Sequence, residues 1–285
     1  ERVALRQWLD FVRGDPIITR NRRDGVVDVE FRIIRGPRIF VQRIDIEGNE
    51  TTLDQVIRRQ FDTVEGDPLN PRAIRAAADR IRALGFFETV EIDTRPGAGP
   101  EQAIVDVDVV EQPTGTLSFG ATYSSDTGPG LIFGFEESNF LGRGQALSFD
   151  VSIGTSDQNT QLTFTEPFFL DRDLSVSFSV FYRTTDFEDQ NFNTTALGFS
   201  TSATFPLNES TRLTLRYRLN QNTRSDTSAD TSAIILAEQG TVLTSEVGYA
   251  LTYDSRRQGL DPARLVRVSF GQDVAGLGGD ARYIR

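Results

Sequence analysis

The sequence predicts an α+β module followed by an antiparallel transmembrane β-barrel, and three observations carry that prediction. Up to Gln112 the chain carries helical periods between short strands, whereas after Pro113 no helical period of any length returns. From there nearly every segment alternates apolar residues with small polar ones. In the first of them, Leu117, Phe119, Ala121 and Tyr123 share one side of an extended chain, opposite Thr116, Ser118, Gly120 and Thr122. A strand with one greasy face and one face of Ser, Thr and Gly suits a wall between lipid and water.

In chain order, Ile39–Ile46 reads as a strand stopped by Gly48-Asn49, and Thr52 as the N-cap of a helix with Leu53, Val56, Ile57 and Phe61 on one face. Asn70-Pro71 places a cap ahead of a proline at the first helical position. Ile74, Ala77, Ala78, Ile81 and Leu84 form the apolar stripe of that second helix, and Gly85 ends it. Strands Phe87–Thr94 and Ala103–Glu111 follow, giving the order β-α-α-β-β. Upstream, VVDVEFRIIRGP (Val26–Pro37) aligns with IVDVDVVEQP (Ile104–Pro113), Asp28 falling on Asp106. Residues 1–36 therefore read as the C-terminal half of an earlier copy: a helix with Leu5, Trp8 and Leu9, then a hairpin turning near Asn21–Gly25. Trp8 is read as a core aromatic.

After the first alternating strand, further strands are expected at Leu131–Glu136, Gln145–Gly154, Thr160–Thr165, Leu174–Arg183, Thr194–Phe205, Arg212–Asn220, Thr241–Tyr253 and Arg264–Val274. Arg216 and Arg218 fall on the polar face, where water receives them; at mid-membrane on the lipid face each would cost about 2–4 kcal/mol. The connections FLGRG (Phe140–Gly144), FFLDRD (Phe168–Asp173) and PLNES (Pro206–Ser210) are short, while Thr184–Asn191 and Gln221–Gly240 are longer, an alternation expected of an outer-membrane barrel. Phe168, Phe169 and Tyr253 fall where an aromatic girdle belongs. A soluble β-sandwich would also alternate, but with long charged residues outward.

Composition narrows the function. The chain has 285 residues, no Cys, no His and no Met, and all 30 of its basic residues are Arg. Thiol and histidine catalysis and most zinc and haem sites are thereby removed, and no cofactor or metal is expected. Asp186, Glu188 and Asp189 cluster, but read as a solvated loop rather than a catalytic group. A net charge of −11 argues against nucleic acid as a partner. Mean hydropathy is −0.31, and no apolar run is long enough for a membrane helix, which leaves a barrel open because alternation averages out. With no Met and no signal-like block, the sequence reads as an internal piece of a longer polypeptide.

The module's segments GPRIFVQRIDIEGN, EGDPLNPRAI and ALGFFETVEI resemble a POTRA (polypeptide-transport-associated) domain. The turn Glu137-Ser138-Asn139-Phe140-Leu141-Gly142 with Gly144 resembles the signature hairpin of the BamA family of outer-membrane assembly factors. FTEPFFLDRDLS (Phe164–Ser175) and the closing run from Tyr253 to Arg285 resemble that family too. The resemblance covers essentially the whole chain. It implies half a POTRA domain (residues 1–36), the complete POTRA domain before the barrel (37–112), and the first nine or ten strands of a sixteen-stranded barrel (113–285). The family's remaining strands, its inward loop with an Arg-Gly motif and its closing strand are not in this sequence.

The function implied is non-enzymatic. Unfolded outer-membrane proteins reach the periplasmic side and pair with the edge of the first barrel strand, Thr116, Leu117, Ser118, Phe119, Gly120, Ala121, Thr122 and Tyr123, by β-augmentation. Gly120 either keeps that seam weak or relieves crowding inside the barrel. Thr89, Val90, Glu91, Ile92 and Asp93 form a second candidate edge, for clients or periplasmic accessory lipoproteins, or else an ordinary solvated edge. Asn139, Gly142 and Gly144 shape the turn, while Glu137 is expected to bond barrel or loop residues beyond this sequence. The alternative within the same resemblance is a two-partner-secretion or TamA-like translocation channel.

Overall fold

The computed structural model describes residues 12–21, 26–35, 38–124, 128–187, 192–208, 210–225, 239–255 and 266–285. The expected helix with Leu5, Trp8 and Leu9, the turn at 22–25, and Glu188 and Asp189 lie outside these residues. The chain divides into two units, Glu1–Gln112 and Pro113–Arg285.

The first unit opens with an antiparallel hairpin, β1 (Val12–Asn21) on β2 (Val26–Arg35). The α+β module follows, with β3 (Phe40–Glu47), α1 (Asp54–Arg58), α2 (Pro71–Ala83), β4 (Phe87–Pro96) and β5 (Gln102–Glu111). Its sheet order is β3-β5-β4, with β5 parallel to β3 and antiparallel to β4. Alternate residues of the central strand, Val105, Val107 and Val109, enter a core with Val41, Ile44, Ile57, Ile74 and Ile81. Each such side chain, fully buried, contributes about 1.5–3 kcal/mol.

Helix α2 starts as its sequence dictates. Asn70 Oδ1 accepts from the amides of Arg72 (2.9 Å) and Ala73 (3.4 Å), Pro71 occupies the first turn, and Gly85 leaves the helix with φ +74°. Helix α1 departs from expectation. It is five residues long, Leu53 stands at its N-cap without a side-chain bond, and Leu53 is exposed. The residues ahead of it are held by Glu111 instead: Oε1 accepts from Thr52 N (2.6 Å) and Oε2 from Thr51 N (3.0 Å). Beyond Arg58 the bonds shorten to Gln60 N→Ile57 O and Phe61 N→Arg58 O, so Phe61 reaches the core from a tightened turn.

The second unit is a ten-stranded antiparallel sheet in sequence order. It comprises β6 (Gly115–Ser124), β7 (Gly128–Phe140), β8 (Gln145–Gly154), β9 (Asp157–Glu166), β10 (Ser175–Phe187), β11 (Phe192–Asn208), β12 (Thr211–Ser225), β13 (Gly240–Asp254), β14 (Arg267–Gly279) and β15 (Tyr283–Ile284). One face is apolar and exposed, including Leu117, Leu131, Ile153, Phe178, Leu215 and Phe270. A contiguous greasy face of that extent on a single chain marks contact with lipid or a partner. The other face carries Ser and Thr pairs bonded across strands, such as Thr165–Ser177 (3.0 Å) and Thr204–Thr214 (2.9 Å). Among the described residues, no helix is long and apolar enough to cross a membrane.

Two expectations need correction. Loop length does not alternate cleanly: residues 155–156 make a tight turn on the side expected to carry long loops, and 255–266 make a long connection on the other. Closure entropy grows only slowly with length, so length is a weak marker of side. Nor do Arg216 and Arg218 simply face water. Arg216 holds Asp273 through two bonds, of 2.6 and 2.8 Å, and Arg218 holds Glu246 at 2.7 Å. Both carboxylates are buried.

Candidate functional site

Strand β6 pairs only with β7, from Gly115↔Glu137 to Ser124↔Gly128, and stands at the end of the sheet order. Among the described residues no strand covers its other side. Every residue of β6 is exposed, Phe119 at 86% and Tyr123 at 81%. A strand edge left uncovered among the described residues is a template for another strand.

The β6–β7 pair is close because its polar face is made of small residues. A side chain at Gly134 would meet Ser118 Oγ at 2.6 Å, and one at Gly130 would meet Thr122 Oγ1 at 2.9 Å. Gly120 differs, since nothing lies within 4 Å of where its Cβ would stand. Among the described residues, nothing crowds this glycine.

The foot of β6 is fastened by the turn that follows β7. Thr114 Oγ1 donates to Glu137 Oε1, which also accepts from Asn139 N at 2.8 Å. The Ser138 amide and hydroxyl each donate to the Thr114 carbonyl at 3.3 Å. Glu137 thus finds its partners within this chain, in a local clasp the sequence did not announce. Buried Asn139 accepts from Gly144 N at 2.7 Å, and Leu141, Gly142 and Gly144 turn the chain at positive φ. Phe140 closes β7 against Gln145 of β8.

In the first unit β4 is likewise a sheet edge. Thr89, Glu91 and Asp93 point outward, whereas Val90 and Ile92 face the core. That edge is not bare: Arg82 Nη2 of α2 donates to the Val90 carbonyl at 2.8 Å. Burial pushes the Glu111 carboxyl up, but the bonds donated by Thr52 and Thr51 outweigh it and hold the pKa below its ordinary value.

At the far side of the sheet the ion pairs sit in register rows. Arg216, Gly248 and Asp273 stand opposite one another on β12, β13 and β14. A side chain at Gly248 would come within 1.9 Å of Asp273 Oδ1, so the bridge crosses β13 through the space this glycine leaves. Beside it, Tyr283 OH donates to Glu246 Oε2 (2.6 Å) and Arg285 Nη2 to Asp273 Oδ2 (3.1 Å). Sequence reading placed both arginines on the right face but missed their partners, which lie 28 and 57 residues away. No cluster of potential metal ligands occurs among the described residues.

Comparison with known proteins agrees with this layout. A model described as "Omp85 superfamily domain" matches residues 139–285, more than half of the chain. The chain belongs to the Omp85 superfamily. A POTRA model, described as "Surface antigen variable number repeat", matches residues 39–112. Outer membrane protein assembly factor BamA of Neorickettsia risticii is 30% identical over 264 residues, covering 92% of this chain and 36% of the relative. Sorting and assembly machinery component 50 homolog B of Xenopus laevis is 26% identical over 261 residues, 89% of this chain and 55% of its own. The crystal structure of BamA from Haemophilus ducreyi lacking POTRA domains 1–3 superposes with a TM-score of 0.76 at 23% identity, covering 98% of this chain and 56% of that one. CdiB from Escherichia coli superposes less well, with a TM-score of 0.54 at 15% identity over 93% of this chain and 49% of that one. The chain spans about a third of the length of the first relative and about half of these structures. As an Omp85 chain with a POTRA domain ahead of its barrel strands, it is an outer-membrane protein whose POTRA domain lies in the periplasm.

Proposed function

We propose that the full-length protein folds and inserts β-barrel proteins into the outer membrane, without catalysis, by pairing their strands with β6. What supports this reading is the edge position of β6 among the described strands of an Omp85 chain related to proteins named as assembly factors. Unfolded clients reach the periplasmic side, where a preceding half POTRA (residues 1–36) and the complete one (37–112) stand ahead of a sixteen-stranded barrel whose first nine or ten strands begin at 113. Backbone pairing tolerates any client side chain, which suits a machine with many clients. Residues Thr116 to Tyr123 form the pairing edge, Glu137 and the Asn139–Gly144 turn hold its foot, and the outer-membrane lipid faces the apolar side. Periplasmic accessory lipoproteins and clients are the partners for the β4 edge at Thr89–Asp93; pairing there displaces Arg82 from Val90 or bypasses it.

Disulfide trapping tests this. Cysteines placed one at a time along Thr116–Tyr123 of the full-length protein are combined with cysteines in a stalled client strand. The expected result is crosslinking in one register with a two-residue period. Folded protein that crosslinks in no register defeats the proposal. A second set of cysteines on the polar face of β10–β14 that crosslinks while the β6 set does not would favour the translocation-channel reading, which has no use for an open β6 edge.

A further inference from the structure

On the polar face, where β11 and β13 end and β12 and β14 begin, the sheet holds a polar pocket of about 430 Å³. Its wall includes Arg212 and Arg267, with Asp254 opposite Arg267 in register. Two buried groups in it lack hydrogen-bond partners among the described residues: the hydroxyl of Ser210, a residue only 5% exposed, and Nε of Arg212. Both are donors. Buried donors are almost always satisfied, so two in one pocket mark a place where an acceptor belongs. Thr204 and Thr214 also line it, and their hydroxyls bond each other, leaving acceptor and donor capacity toward the space.

We propose that this pocket binds a single carboxylate, carried by an acidic side chain of an incoming unfolded polypeptide. Among the described residues the wall carries two arginines and one aspartate, a net positive charge that one monoanion balances and a phosphate dianion overshoots. A guanidinium Nε–H beside a hydroxyl is suited to a carboxylate's two oxygens. The pocket opens on the polar face, away from the lipid side, so a membrane headgroup is not the occupant. That the carboxylate arrives on a polypeptide rests on the assembly reading above. An acidic residue docked here would hold a client close to the wall without fixing its backbone register.

The test uses the full-length protein in lipid nanodiscs and two fluorescent octapeptides, blocked at both ends, that differ only in one Asp or Asn. Anisotropy should show the Asp peptide binding about tenfold tighter than the Asn peptide. Arg212→Gln should erase that preference, Ser210→Ala should reduce it severalfold, and Arg212→Lys should retain part of it. Circular dichroism checks that each variant keeps its strand content. Equal binding of the two peptides to wild type, or a preference that survives Arg212→Gln, overturns the proposal. So does inorganic phosphate displacing the Asp peptide more effectively than acetate. If client crosslinking along β6 fails while the Asp preference persists, the assembly reading falls and the carboxylate site stands.

Discussion

At the scale of single residues, Glu111 shows how one side chain redirects local structure. Its carboxylate takes the amides of Thr51 and Thr52 about sixty positions earlier and fixes the approach to a helix that begins one residue later than expected. Because the folded-state pKa lies below the ordinary value, this contribution is present above the ordinary glutamate range and is lost as pH falls through the folded pKa. Hydrogen-exchange protection of the POTRA core should therefore decline as pH drops below about 4.3, and Glu111→Gln should flatten that decline while lowering protection at pH 7. An unchanged pH profile in the variant would remove Glu111 from the account. Such a partner is invisible to a local scan of sequence, whereas Asn70, which caps its own helix within three residues, was legible at once.

At the scale of elements, the alternation of apolar and small residues was enough to place nine of the sheet's ten strands, all but the two-residue β15, and to tell its two faces apart. It could not give the register, and the charged rows exist only in the register. Asp273 reaches Arg216 across β13 because Gly248 yields the space. Breaking a buried pair costs about 3–5 kcal/mol, and with the Arg216 side chain about a third exposed we expect Asp273→Ala to cost about 2 kcal/mol. Gly248→Val should cost at least as much, since it expels the carboxylate and strands both charges. Urea unfolding of the full-length protein in detergent checks both, and a Gly248→Val variant as stable as wild type would show that the row is idle. The clasp at Glu137 escaped sequence reading for the same reason: Thr114 stands opposite only once β6 and β7 are paired.

At the scale of the whole molecule, the division at Gln112 and Pro113 separates two kinds of stability. The POTRA module is held by a buried core, and the sheet by ladders, charged rows and its surroundings. Damage to one should leave the other standing. Gly48 sits at φ +89° with its missing Cβ 1.9 Å from the Val109 carbonyl, so Gly48→Ala strains the backbone and collides with the central strand. We expect a loss of about 2–4 kcal/mol in the module, read as lost exchange protection in residues 39–112, with the circular dichroism of the sheet unchanged. Collapse of both together would mean that the units fold as one.

The pinned foot of β6 has a mechanical outcome. With its foot fastened at Thr114 by Glu137, β6 resists sliding lengthwise, and any parting from β7 runs from the tip toward that foot. Nine residues of extended chain make an arm of about 30 Å, so a gentle pull at the tip delivers a large torque at the base, and a newcomer seated near Tyr123 meets the least resistance.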